Sequence, residues 1–146
     1  MQSKSKSKAK QTAFPGASVV DPAAWSASDL EADKDWVHQL LESEIAELDA
    51  AVRKIEEKDV SLLEIRAELY EMPGLSQRLI TIRQDLIEGR GLALLRGVPV
   101  ADFTRLQSAI AFWIIGQHFG DPVSQNAKGH LLGHVADLGG TTLKNP

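Results

Sequence analysis

The stretch that most limits what this chain can become runs from residue 89 to 100, Gly-Arg-Gly-Leu-Ala-Leu-Leu-Arg-Gly-Val-Pro-Val. A short apolar run, Leu92 to Leu95, sits between Gly91 and Gly97. Shortness and glycine flanks favour a buried strand over a helix. Pro99 has no N–H to give a ladder, so the chain leaves the sheet at Val98 to Val100. A helix is expected next, over about 104 to 119. Thr104 and Gln107 have capping-box spacing. Leu106, Ile110, Trp113, Ile114 and Gln117 share one helical face, widened by Phe112 and Ile115. Gly120 reads as the residue just past the helix and Pro122 as a stop. Leu131 to Leu138 reads as a further strand.

Upstream, Ser28 and Glu31 have the spacing of a cap for a short helix, and Trp36, Val37, Leu40 and Leu41 form an apolar cluster. A helix over about 44 to 58 carries a stripe of Ile45, Leu48, Val52 and Ile55. Its acids (Glu44, Glu47, Asp49) come early and its bases (Arg53, Lys54, Lys58) late, as the helix dipole prefers. Ser61 and Glu64 suggest a capped turn through Ala67. Met72-Pro73-Gly74 is a break. Leu75, Leu79, Ile82 and Leu86 then make an amphipathic helix ended by Gly89. Residues 1–21 open with lysine alternating with serine and alanine, and read as a disordered, solvated tail. Residues 22–146 read as one domain.

Taken together, Gly89 to Val100, Phe112-Trp113-x-x-Gly116-Gln117-His118-x-Gly120-x-Pro122 and Ser124-Gln125-Asn126 resemble the N-terminal part of the TauD/TfdA family. These are the Fe(II)- and 2-oxoglutarate-dependent dioxygenases related to taurine dioxygenase. The resemblance runs from about Leu75 to Pro146 and is weaker over residues 22 to 74. It rests on the ordered combination of motifs, none of which is diagnostic alone. It implies an α+β chain, mostly helical with a few strands, forming the N-terminal portion of a double-stranded β-helix (jelly-roll) enzyme. It also implies an oxidative hydroxylation of a small organic substrate in the complete protein, with Fe(II) and 2-oxoglutarate as cofactors.

The family's His-x-Asp/Glu pair and distant His are not matched here. His130 is followed two residues on by Leu132, and His134 by Ala136. The chain is therefore expected to stop before the metal-binding motif, to bind neither cofactor alone and to be inactive alone. With their cover missing, its apolar faces should favour self-association and poor solubility. The resemblance also implies that the loop after the 104–119 helix approaches the substrate. Gln125 and Asn126 are then the candidate substrate-binding residues, with Lys128 beside them for an anionic group. The competing reading is that these amides merely satisfy turn backbone.

Composition narrows the remaining classes. A net charge of −4 gives no general attraction to nucleic acid or anionic membrane, and the absence of cysteine excludes disulfides and thiolate chemistry. No apolar run approaches a membrane span and no signal-peptide core opens the chain, so a cytoplasmic location is expected. On a strand, His130 and His134 would lie about 13 Å apart, too far to share a metal. Gly89-x-Gly91 precedes a strand rather than opening a helix, so it is no dinucleotide fingerprint. The alternative function is a non-catalytic helical interaction protein that binds a partner through the 44–58 helix, or a vestigial truncated product.

Overall fold

The computed structural model describes residue 12 and residues 14–133. Its elements are α1 (Ala27–Ala32), β1 (Val37–Gln39), α2 (Glu42–Glu57), two short 3-10 turns (Leu62–Glu64 and Ala67–Leu69), α3 (Pro73–Glu88), β2 (Leu94–Arg96) and α4 (Arg105–Gln117). The architecture is mixed: helices predominate, beside two short strands, as an α+β segment requires. Nothing among the described residues forms a jelly roll. No helix among them is long and apolar enough to cross a membrane.

The core lies where α2, α3 and α4 meet. Leu48, Val52 and Ile55 from α2, Leu75 and Leu79 from α3, and Ile114 from α4 are completely or almost completely shielded from water. These are the stripe positions the spacing picks out on α2 and α3, so hydrophobic periodicity sets this packing. Burying a leucine or isoleucine of this kind contributes roughly 1.5–3 kcal/mol.

Two carboxylates of α2 fix α3 against it. Glu44 is buried. Its Oε1 accepts from Arg78 Nε at 2.5 Å and its Oε2 from the Leu41 N–H at 2.8 Å. Glu47 crosses to the start of α3, accepting from Gly74 N at 3.2 Å and Leu75 N at 2.9 Å. It thereby satisfies two of the donors every helix N-terminus leaves open. Pro73 occupies the first turn of α3, where its missing N–H costs nothing. The sequence break at residues 72 to 74 is thus a helix start.

The strand at Leu94–Arg96 falls two residues after the start of the apolar run. Its partner β1 was not foreseen, because three residues Val-His-Gln show no alternation. The pair is parallel, with Val37 opposite Leu94 and Gln39 opposite Arg96. Gly97 follows with φ +95°, and a Cβ there would stand 2.5 Å from Gln39 Nε2. Glycine is favoured at that turn by its positive φ, while the Gln39 amide is the end of a flexible side chain that could move aside.

Several expectations are corrected. Ser26, not Ser28, precedes α1, and Asp29 accepts from its N–H at 2.8 Å. The capped turn at Ser61 is replaced by two 3-10 turns without a Ser61 side-chain cap. α4 ends at a right-handed His118, whose N–H reaches Ile115 and Gly116 carbonyls, so Gly120 is not a left-handed cap. Leu106 and Phe112 lie on the exposed side of α4, at 54% and 66% exposure, while Gln107 is buried. Gln107 sits there because it closes the capping box with Thr104 and also donates to Glu56 at 2.7 Å. Residues 131–133 carry no strand, and 134–138 lie outside the described residues.

Burial pushes the Glu44 carboxyl up, but the Arg78 hydrogen bond, the Leu41 N–H and the Arg78 charge outweigh it. The net position is below the ordinary glutamate value. A carboxyl held low in the folded state contributes stability that is complete above its unfolded value and lost as pH falls through its folded value. Glu44→Gln should therefore destabilise the chain at pH 7 by about 1–3 kcal/mol. The gap between variant and wild-type urea midpoints should shrink as pH drops below the ordinary glutamate range. A gap that stays constant into strong acid would show that the charge is not what matters.

Candidate functional site

The last turn of α4 and the loop after it line an open concavity of about 660 Å³. Its walls are Phe112, Trp113 and Phe119 on and just beyond α4, the segment Gly120-Asp121-Pro122-Val123, Gln125, and Leu131 to Gly133. Gly116 and Gln117 also line it. A small-molecule site has this character, a mostly apolar concavity with a few polar groups.

Two residues at the end of α4 hold that wall in place. Gln117 donates from Nε2 to the Ile65 carbonyl at 2.7 Å and accepts at Oε1 from Ala67 N at 2.7 Å. This is a bidentate clamp from helix to 3-10 segment, closing across an interval of fifty residues. His118 stands 2.8 Å from the Ile114 carbonyl through Nδ1 and 3.0 Å from Ser76 Oγ through Nε2. A carbonyl only accepts, so Nδ1 carries the proton, and in neutral His118 the Ser76 hydroxyl donates to Nε2. Gln117 was expected on the apolar face and His118 had no expected role. The family-like motif contained both residues, but the sequence did not reveal their partners at Ile65, Ala67 and Ser76.

Of the three candidate substrate residues, Gln125 lines the cavity. Its Nε2 donates to the Val123 carbonyl at 2.9 Å and its backbone N–H to the His130 carbonyl at 2.7 Å. Asn126 holds the loop together. Its Oδ1 accepts from Lys128 N at 3.0 Å and His130 N at 3.3 Å, and its Nδ2 stands 3.0 Å from His130 Nδ1. Gly129, with φ +81°, completes the turn. Lys128 is exposed and is not among the lining residues. The loop thus brings Gln125 to the cavity and engages Asn126 in turn geometry.

Trp113 is almost fully buried, and its indole Nε1 has no hydrogen-bond partner. Leaving such a donor unpaired costs about 1–3 kcal/mol. It is an expensive residue to place at a wall whose only duty is packing.

No group of three or more His, Cys, Asp or Glu among the described residues could hold a metal ion. His134 lies outside them. The described residues do not by themselves fit an iron centre.

Comparison with known proteins follows the same line. No family model matches. The chain is 26% identical over 121 residues to FR-33289 synthase of Streptomyces rubellomurinus, covering 83% of this chain and 36% of that protein. It is 27% identical over 118 residues to the taurine hydroxylase-like protein SAT17 of Stachybotrys chartarum, covering 80% of this chain and 31% of that one. The chain therefore spans about a third of the length of the curated relatives it matches. The relationship to a taurine hydroxylase-like protein is distant.

If Asn126 organises the loop, Asn126→Ala should speed amide hydrogen exchange at Lys128 and His130 by about tenfold, a loss of roughly 1.4 kcal/mol of local protection. Exchange in α2 should be unchanged. Unaltered protection at both amides would show that the turn does not depend on the side chain.

Proposed function

We propose that this chain is a segment of an oxidoreductase of the Fe(II)- and 2-oxoglutarate-dependent type, acting on a small organic molecule. The observation that carries the reading is the twofold match over four-fifths of the chain, one partner being named taurine hydroxylase-like. The cavity at the end of α4 supports it. In an enzyme of that type, iron, 2-oxoglutarate and O₂ together supply the oxidising chemistry, and succinate and CO₂ are released.

This segment's own contribution is positional. The Gln117 clamp and the His118–Ser76 contact fix the end of α4, so that Phe112, Trp113 and Phe119 present a steady apolar wall. Such a wall excludes water and orients the bound molecule. Gln125 is its candidate polar contact, through Oε1 or through the second Nε2 hydrogen, since the Val123 carbonyl takes only one.

The interaction-protein reading has less to stand on. It needs the stripe of the 44–58 helix free for a partner. Leu48, Val52 and Ile55 are instead buried in the chain's own core.

The test is in two parts. The 146-residue chain, given Fe(II) and 2-oxoglutarate, should release no succinate above a metal-only blank. An antibody to residues 29–59 should detect in the source cells a product well above 15.9 kDa. That product, once immunopurified, should release succinate from 2-oxoglutarate only when iron is present. A natural product of 15.9 kDa, or a larger one with no such activity, would overturn the proposal.

A further inference from the structure

We infer that Gly116, Gly120 and Gly133 set the size of the ligand that the open concavity admits: their missing side chains leave room for a broad apolar body, a fused or bridged hydrocarbon ring, to lie against the backbone. The inference deepens the small-molecule reading above and rests on it only in calling the ligand a substrate.

These three differ from every other described glycine. Gly16, Gly91, Gly97 and Gly129 have positive φ, which a side chain disfavours. Gly74 and Gly89 are hemmed in by carboxylates: a Cβ at Gly74 would stand 3.1 Å from Glu47 Oε1, and one at Gly89 would overlap Asp85. Gly116, Gly120 and Gly133 have neither reason. None of them has positive φ, and a Cβ on any of them would meet no atom within 4 Å beyond its chain neighbours and its own helix. All three line the concavity. The glycines that the described chain does not need for itself are thus the ones gathered at one surface depression.

Gly116 carries the argument furthest. It lies in the last turn of α4 in helical conformation, where alanine fits and glycine costs stability through the extra freedom of the unfolded chain. Phe112 precedes it by four residues and Phe119 follows it by three, and both line the concavity. Residues so spaced are neighbours on a helix surface, so the gap at Gly116 is a slot between two ring-bearing positions. A second observation lies in the same wall. Trp113 is almost fully buried, yet its indole N–H has no partner, so the wall has not completed its own hydrogen bonding. A methyl group at Gly116 would fill part of the slot. A compact ligand can sit beside it, whereas a broad one has to give up its contact with the backbone.

The probes are two neutral alcohols of different bulk, 1-adamantanol and cyclopentanol, each titrated into the 146-residue chain. Binding is read from the backbone amide resonances of Gln117, Gln125 and Leu132. The chain should bind 1-adamantanol saturably. Gly116→Ala should raise the folding equilibrium constant about threefold, read from urea unfolding, because alanine suits the helix. The same change should weaken 1-adamantanol about tenfold and cyclopentanol by no more than about twofold. Gly133→Ala should weaken 1-adamantanol in the same direction. Ala109→Gly, on the same helix but outside the lining, should lower stability and leave both affinities unchanged. A Gly116→Ala chain that keeps or improves its hold on 1-adamantanol, an equal loss for both alcohols, or no saturable shift in the wild-type chain would overturn the inference. None of these titrations involves iron, 2-oxoglutarate or turnover. A failure here with succinate release from the natural product intact rejects only the role given to the glycines. The size-dependent loss without succinate release rejects only the oxidoreductase reading.

Discussion

The carboxylate of Glu47 at the N-terminus of α3 is the contact on which the rest of the arrangement depends. Helix α2 is packed by its apolar stripe, but a stripe alone leaves a neighbour free to slide. Glu47 fixes the axial position of α3 by holding the N–H groups of Gly74 and Leu75. Glu44 does the same one turn further along through Arg78. With α3 placed, Ser76 meets His118 and sets the end of α4. Gln117 then ties that end to the 3-10 segment that follows α2. The cavity is the last link in this series. Its walls stand where they do because an acid on the second helix is hydrogen-bonded to the third.

The elements with strong periodicity are legible in the sequence. The α2 and α3 stripes, the Thr104–Gln107 capping box and the glycine-flanked strand are local patterns, and local patterns are what a linear reading can see. Cross-helix polar contacts are not of that kind. Glu44 and Glu47 looked like ordinary first-turn acids, because nothing in their own helix reveals that α3 begins beside them. β1 was missed because its three residues owe their conformation to β2, with Leu94 N–H donating to Trp36 O and Leu40 N–H to Arg96 O. Leu106 and Phe112 satisfied the helical spacing yet lie outward. On α4 every position from Ala109 to Ile115 is apolar, so the period cannot say which side is the core.

The candidate site shows the same division. Gln125 and Asn126 were both drawn from one motif, and chemistry could not separate two neighbouring amides. The fold does: the turn through Gly129 engages the Asn126 side chain, leaving Gln125 beside the cavity. Asn is the residue that most readily serves a turn in this way, bonding backbone N–H groups a few residues on. A division of labour between adjacent amides is what the loop's geometry demands.

The exposed rings also follow from this layout. An aromatic residue such as Phe112, 66% exposed between the buried Ala111 and Trp113, lowers the water affinity of the surface around it. Random scatter of single apolar residues needs no explanation. Phe112 is not scattered, however, because it shares one concavity with Trp113, Phe119, Val123 and Leu131. Packing within the chain would have turned Phe112 inward and given the Trp113 indole a partner. Neither has happened, while the same helix end is clamped by four side-chain hydrogen bonds from Gln117 and His118. Rigid support beneath an apolar wall is the arrangement a binding surface needs, since less ordering is then left to be paid when a ligand binds.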